Sequence, residues 1–158
     1  MKTITGSSKK THTLALLFDD FKQLTKVGLS LSVVFSSIAG YVLAAGSVHP
    51  QTLILLVFGG YFMVGASNAY NQIIEKDSDA LMKRTQNRPI PAGRMSVNTA
   101  FIIATLFTVL GIVMLYMINP KTAMFGAISI FLYTSVYTPL KPRTPLSIFV
   151  GAIPGAIP

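Results

Sequence analysis

From residue 27 to residue 74 the chain contains no Asp, Glu, Lys or Arg, and the same holds from 95 to 120 and from 122 to 140. Uncharged apolar stretches of about 18 residues or more are long enough to cross the hydrocarbon core of a bilayer as helices. Only 11% of the residues are charged and mean hydropathy is +0.59, where soluble domains carry about a quarter charged residues. The chain therefore reads as an all-α integral membrane protein, a multi-span bundle of transmembrane helices.

Four complete spans fit the stretches, at 27–46, 52–72, 98–118 and 122–140. His49-Pro50 turns the chain between the first two, and Asn119-Pro120 closes the third. A fifth apolar segment, 144–158, falls short of the ~20 residues a crossing needs. Its three prolines and two glycines weaken it further as a helix, so it reads as a truncated span.

The 13 Lys and Arg against 5 Asp and Glu would suggest nucleic acid in a soluble protein. Here they match positive-inside topology and attraction to anionic lipid, so no nucleic-acid partner is expected. With the N-terminus cytoplasmic, every basic residue except Lys121 lies on the cytoplasmic side: Lys2, Lys9, Lys10, Lys22 and Lys26 before the first span, Lys76, Lys83, Arg84, Arg88 and Arg94 between the second and third, and Lys141 and Arg143 after the fourth. No secretory signal is evident, because the apolar run Leu14 to Phe18 ends at Asp19 and Asp20 and is too short. The N-terminus lacks the arginines of a mitochondrial transit peptide, which favours a bacterial cytoplasmic membrane.

Residues 1–26 read as a cytoplasmic segment. Within it Leu14, Leu17, Phe18, Phe21 and Leu24 recur at helical spacing opposite Asp19, Asp20 and Lys22, as in a helix lying on the membrane surface; a solvated tail is the alternative. Zero cysteines exclude disulfides, Cys-ligated metals and a cysteine nucleophile.

All five acidic residues fall on the cytoplasmic side, and three crowd into the stretch from Asn71 to Pro89. Asn71, Glu75 and Asp79 are spaced i, i+4, i+8, so a helix continuing past the membrane surface stacks them on one face; Asp77 points elsewhere, as a solvated charge. Two carboxylates a turn apart repel each other, which suggests a cation between them. Hard oxygen donors suit Mg²⁺, which binds through one or two carboxylates plus a substrate's phosphates. Lys83, Arg84 and Arg88 follow; Arg84 and Arg88 stand i, i+4 and offer guanidinium forks for phosphate oxygens. On their own these three would be an ordinary positive-inside cluster. Beside scarce acids at the mouth of a bundle, they describe a site for a lipid diphosphate. Asp77-x-Asp79 does not open a calcium loop, since positions six and twelve hold Met82 and Arg88 where Gly and Glu are required. No phosphate loop or His-Glu-x-x-His zinc helix occurs.

Asn71-x3-Glu75-x3-Asp79 resembles the first aspartate-rich motif of the membrane-embedded prenyltransferases typified by 4-hydroxybenzoate polyprenyltransferase. The continuation Met82-Lys83-Arg84-Thr85-Gln86-Asn87-Arg88-Pro89 is similar to the M-x-R-T-x-N-R-P run of the protoheme IX farnesyltransferase (haem O synthase) family. Leu24-Thr25-Lys26 and Tyr137-Thr138-Pro139-Leu140-Lys141, with its Y-x-x-x-K pattern, also resemble that family. The resemblance runs in order from about Phe21 to the end of the chain.

That resemblance implies a bundle of about nine helices with a second aspartate-rich motif near the sixth. Mg²⁺ held by both motifs binds farnesyl diphosphate; diphosphate departs, the 2-vinyl group of haem B attacks the allylic cation, and water adds to give haem O. By the same resemblance Asn71, Glu75 and Asp79 bind the metal. Asn71, Lys83, Arg84 and Arg88 bind the diphosphate, and Asp79, Tyr137 and Lys141 act at the reacting centre. Haem A synthase is implied as a further partner. No Asp or Glu follows Asp79, so the second motif lies outside these residues. Residues 27–158 then read as the N-terminal part of a prenyltransferase domain that holds half the metal site and is inactive alone.

Two alternatives stay open in the sequence. One is a prenyltransferase acting on a quinone or chlorophyll precursor. The other is a non-catalytic membrane subunit whose acids are solvated or paired with Lys83 and Arg84. His12 and His49 are isolated on opposite sides of the membrane, and a haem-ligand role for His49 also stays open.

Overall fold

The computed structural model describes residues 14–157, so Lys2, Lys9, Lys10 and His12 lie outside the described residues. Every regular element among those described is helical. α1 (Leu14–Thr25) leads through Lys26 into α2 (Val27–Ala44). α3 (Pro50–Ile74) and the short α4 (Lys76–Leu81) follow, then α5 (Val97–Ile118) and α6 (Pro120–Phe131). A π-helical turn (Leu132–Tyr137), the single turn α7 (Thr138–Leu140) and α8 (Ser147–Ala156) complete the chain.

Four helical runs are long and apolar enough to cross a membrane: Val27–Ala44, Pro50–Ile74, Val97–Ile118 and the continuous rod Pro120–Leu140. They match the four spans expected from charge alone to within a few residues. The chain is a multi-pass membrane protein. α8 forms a helix of 10 residues despite Pro154 inside it, a length of about 15 Å that reaches half-way through a hydrocarbon core.

Local chemistry sets the ends. Pro50 and Pro120 occupy first-turn positions, where a missing N–H costs nothing and φ is already helical. The Asn119 side chain accepts from the Thr122 N–H at 2.9 Å, and Ser96 accepts from the Thr99 N–H at 3.0 Å, each capping an otherwise unpaired donor. Asn119-Pro120 thus ends one span and starts the next with no loop between them.

α3 is the central helix, and its most extensive partner is α5. Their shared face is built from small residues: Gly59, Gly65, Ala66 and Ala69 on α3, and Ala100, Ala104 and Gly111 on α5. Lipid tails are as apolar as leucine, so helices in a membrane associate by close packing, which small residues permit. At Gly111 the approach is tight enough that a Cβ would lie 2.8 Å from Met63 Cγ and 3.1 Å from the Met63 backbone nitrogen. The bulky apolar side chains, among them Phe35, Leu43, Phe58 and Tyr116, stand exposed on the outer faces, as lipid contact requires.

The outward apolar residues of α1 include Leu14, Leu17 and Phe18. Asp20 is not on an exposed polar face, as its spacing suggested. It is buried, and accepts from Arg94 Nε at 2.8 Å. Arg94 also donates to the Asn87 carbonyl at 2.9 Å, so this ion pair ties α1 to the loop between α4 and α5.

Candidate functional site

The helix that the i, i+4, i+8 spacing predicts is interrupted at Glu75, where φ −87° and ψ 5° separate α3 from α4. The hydrogen-bond ladder nevertheless passes through the break. Glu75 N–H donates to the Asn71 carbonyl at 2.9 Å, and Asp79 N–H to the Glu75 carbonyl at 2.8 Å. Helical register therefore survives, and the first pair keeps the expected contact: Asn71 Nδ2 donates to Glu75 Oε2 at 2.9 Å.

The other Glu75 oxygen, Oε1, accepts from Lys141 Nζ at 3.1 Å. Asp79 is buried and paired through Oδ2 with Arg88 Nη1. The repulsion expected between the two carboxylates is thus relieved by two basic residues, one from the loop after α4 and one from the end of the fourth span. Thr85 Oγ donates to the Asp79 carbonyl at 2.9 Å, which folds the loop back and delivers Arg88 to its partner.

Lys141 follows directly on α7, and its N–H donates to the Tyr137 carbonyl. The Tyr137 ring lies over that of Tyr133, centroids 5.2 Å apart, and α8 packs against it at Gly151, where a Cβ would come within 2.7 Å of Tyr137 Cε2. The structure therefore brings together Asn71, Glu75 and Lys141, and separately Asp79 and Arg88, with Tyr137 one turn before the lysine. Lys83 and Arg84 stay exposed and make no ion pair or side-chain hydrogen bond among the described residues. The segment after Leu81 is a series of turns, so Arg84 and Arg88 do not share a helix face. Asp77 is exposed, as its spacing implied.

Several participants had no role assigned to them from the sequence. The break between α1 and α2 frees the carbonyls of Gln23, Leu24 and Thr25, and buried side chains satisfy them. Gln72 Nε2 donates to the Gln23 and Leu24 carbonyls at 2.9 and 3.0 Å; Asn68 Nδ2 and Ser30 Oγ donate to that of Thr25 at 3.2 and 2.8 Å. This clamp holds Lys26 at φ 47°, the one positive φ among described non-glycine residues, a conformation disfavoured for side chains with a Cβ. Burial pushes the Lys26 ammonium below the ordinary lysine range. The charges of Arg88 and Lys141 add to that effect, and those of Glu75 and Asp79 oppose it. Thr138 is the other unpredicted participant: its Oγ lies 3.1 Å from Asn71 Oδ1 and 2.7 Å from the Tyr133 carbonyl oxygen.

No group of three His, Cys, Asp or Glu converges among the described residues. The donors here are an amide and two carboxylates, all hard oxygens, with Asn71 and Glu75 already in contact. They fit a divalent cation that takes its remaining ligands from water and a substrate's phosphates. Towards the membrane interior, a cavity of about 590 Å³ opens between α2, α3 and α6, lined by Leu29, Val33, Met63, Asn68, Phe125 and Tyr133 among others.

The UbiA prenyltransferase family matches residues 33–158. The protoheme IX farnesyltransferase of Christiangramia forsetii is 69% identical, over 91% of this chain and 48% of its own length. That of Flavobacterium psychrophilum is 70% identical over 90% and 48%, and that of Flavobacterium johnsoniae 63% over 97% and 52%. The chain spans about half the length of these curated relatives. No solved structure matches it significantly. By a match over four-fifths of its residues, the chain belongs to the UbiA prenyltransferase family.

Proposed function

We propose that the chain supplies the first acidic motif and the diphosphate-binding basic residues of a protoheme IX farnesyltransferase, which moves a farnesyl group from farnesyl diphosphate to the 2-vinyl group of haem B. The observation that supports the diphosphate reading is that each motif acid holds a base beside it: Lys141 on Glu75 and Arg88 on buried Asp79. The acceptor and chain length rest on the names of relatives 63–70% identical.

In this reading Asn71, Glu75 and Asp79 hold Mg²⁺. Bound there, the ion neutralises diphosphate charge and makes diphosphate a better leaving group. Arg88 and Lys141, already oriented by their carboxylates, turn to the diphosphate oxygens, Arg88 with a two-pronged fork and Lys141 as a point charge. Lys83 and Arg84, exposed at the mouth, draw the anionic substrate in. The cavity beside Tyr133 takes the isoprenoid chain, and the Tyr137 ring flanks the carbon that becomes cationic, where an aromatic face favours positive charge. Catalysis is then positioning and electrostatics with no covalent nucleophile.

The N-terminus is cytoplasmic, in the inner membrane of a bacterium, and haem A synthase is the partner that receives the product. The second acidic motif comes from the remaining half of the full-length protein, so this half does not turn over alone. The non-catalytic reading has the acids solvated or paired with Lys83 and Arg84, whereas Asp79 is buried on Arg88 and Glu75 pairs with Lys141. Glu75→Gln and Asp79→Asn in the full-length protein test the proposal. Each should lower farnesyl transfer by at least about 100-fold, on the scale of losing an electrostatic group. Transfer unchanged in both variants would remove the acids from the mechanism.

A further inference from the structure

Thr138 carries one hydroxyl proton, and two acceptors stand within reach of it: the Tyr133 carbonyl oxygen at 2.7 Å and Asn71 Oδ1 at 3.1 Å. Thr138 and Asn71 are 2% and 3% exposed, so water does not compete for either. The Tyr133 carbonyl is the nearer acceptor; in the π-helical turn it also takes the Thr138 backbone N–H, and its second lone pair is available to the hydroxyl. With its proton directed at the Tyr133 carbonyl, Thr138 Oγ presents lone pairs to Asn71. A half-turn of the Asn71 amide then gives Oγ a donor, Nδ2, and carries Oδ1 to the place now occupied by Nδ2, beside Glu75 Oε2.

Asn71 Nδ2 and Glu75 Oε2 are 2.9 Å apart, an ordinary hydrogen bond; with the amide turned, Oδ1 and Oε2 would be neighbouring hard oxygens that only a cation between them would hold together. The amide thus has two arrangements in one backbone. In the first, Nδ2 donates to Glu75 and the carboxylate is satisfied without metal. In the second, Oδ1 and Glu75 Oε2 face a divalent cation together, and Nδ2 donates to Thr138.

We propose that Thr138 is a positioning residue that selects the second arrangement, with its hydroxyl as the acceptor that lets Asn71 turn its oxygen to the metal. This rests on the proposed metal site at Asn71, Glu75 and Asp79. Outer-shell partners that orient ligands are commonly worth 10–100-fold in metal affinity, and an effect of that size is expected here.

The test uses Mn²⁺ as the probe, read by electron paramagnetic resonance on the full-length protein in lipid nanodiscs, so it does not depend on turnover. Thr138→Val should weaken Mn²⁺ binding about 10–100-fold, while Thr138→Ser, which keeps the hydroxyl, stays within about 3-fold of wild type. In an Asn71→Asp background, where either carboxylate oxygen can face the metal, the valine substitution should have lost most of its effect. A serine variant as weak as the valine variant, or an equal valine effect in the Asn71→Asp background, would make Thr138 merely structural and overturn the proposal. Wild-type binding in Thr138→Val, with binding lost in Glu75→Gln, would overturn it while leaving the metal site in place. Unchanged binding in both variants would overturn the metal site as well.

Discussion

Arg88 and Lys141 each neutralise one carboxylate, but in different surroundings. The Arg88 and Asp79 side chains are 21% and 5% exposed, whereas Lys141 is 49% exposed against Glu75 at 14%. Removing Arg88 strands a buried charge, so Arg88→Ala should lower stability by about 3 kcal/mol, measured by thermal unfolding in detergent. Asp79→Asn in the same chain should restore part of that loss. Lys141→Ala should change stability by less than about 1 kcal/mol while still impairing diphosphate binding. Sequence spacing made Asn71, Glu75 and Asp79 legible because helical register is local and survives the break at Glu75. It did not show which basic residues would meet them. Lys141 reaches Glu75 across 66 positions, and the choice of Arg88 over Lys83 and Arg84 depends on turns that Thr85 fixes through the Asp79 carbonyl. Thr138 stands in the stretch that resembles the family, but its contact with Asn71 emerges only in the fold.

Among the elements, the α3–α5 seam and the α1–α2 break do most to hold the site in place. Gly111→Val should wedge the two helices apart at Met63 and cost about 1–3 kcal/mol, the usual range for overpacking, seen as a lower unfolding temperature. Gln72→Leu leaves the Gln23 and Leu24 carbonyls without their partner, at about 1–3 kcal/mol for buried groups left unpaired. Hydrogen exchange around Lys26 should accelerate in that variant while the centre of α5 stays protected. The four spans could be read from missing charges alone, since the bilayer permits few other structures. The break at Glu75, the π-helical turn and the burial of Asp20 could not be read. The burial of Asp20 depends on Arg94, 74 positions along the chain, which no local pattern reveals.

At the scale of the whole molecule, the charge asymmetry predicts an orientation that the absence of cysteine makes simple to measure. In otherwise cysteine-free protein, Lys121→Cys should react with a membrane-impermeant maleimide from outside intact cells, and Asp77→Cys only after permeabilisation. The reverse pattern would invert the topology and place the acid cluster on the wrong face for a cytoplasmic isoprenoid diphosphate. The chain is about half as long as its relatives, and under the proposed function the acid cluster is one side of a larger site. The most direct measurement is therefore transfer itself. Membranes carrying the full-length protein, and separately the 158-residue chain, are supplied with haem B, farnesyl diphosphate and Mg²⁺, and haem O is sought by mass. Haem O should form with the full-length protein only, and should disappear with Asp79→Asn. A prenylated quinone precursor in its place would contradict the acceptor. Failure to prenylate any acceptor would contradict the enzyme itself.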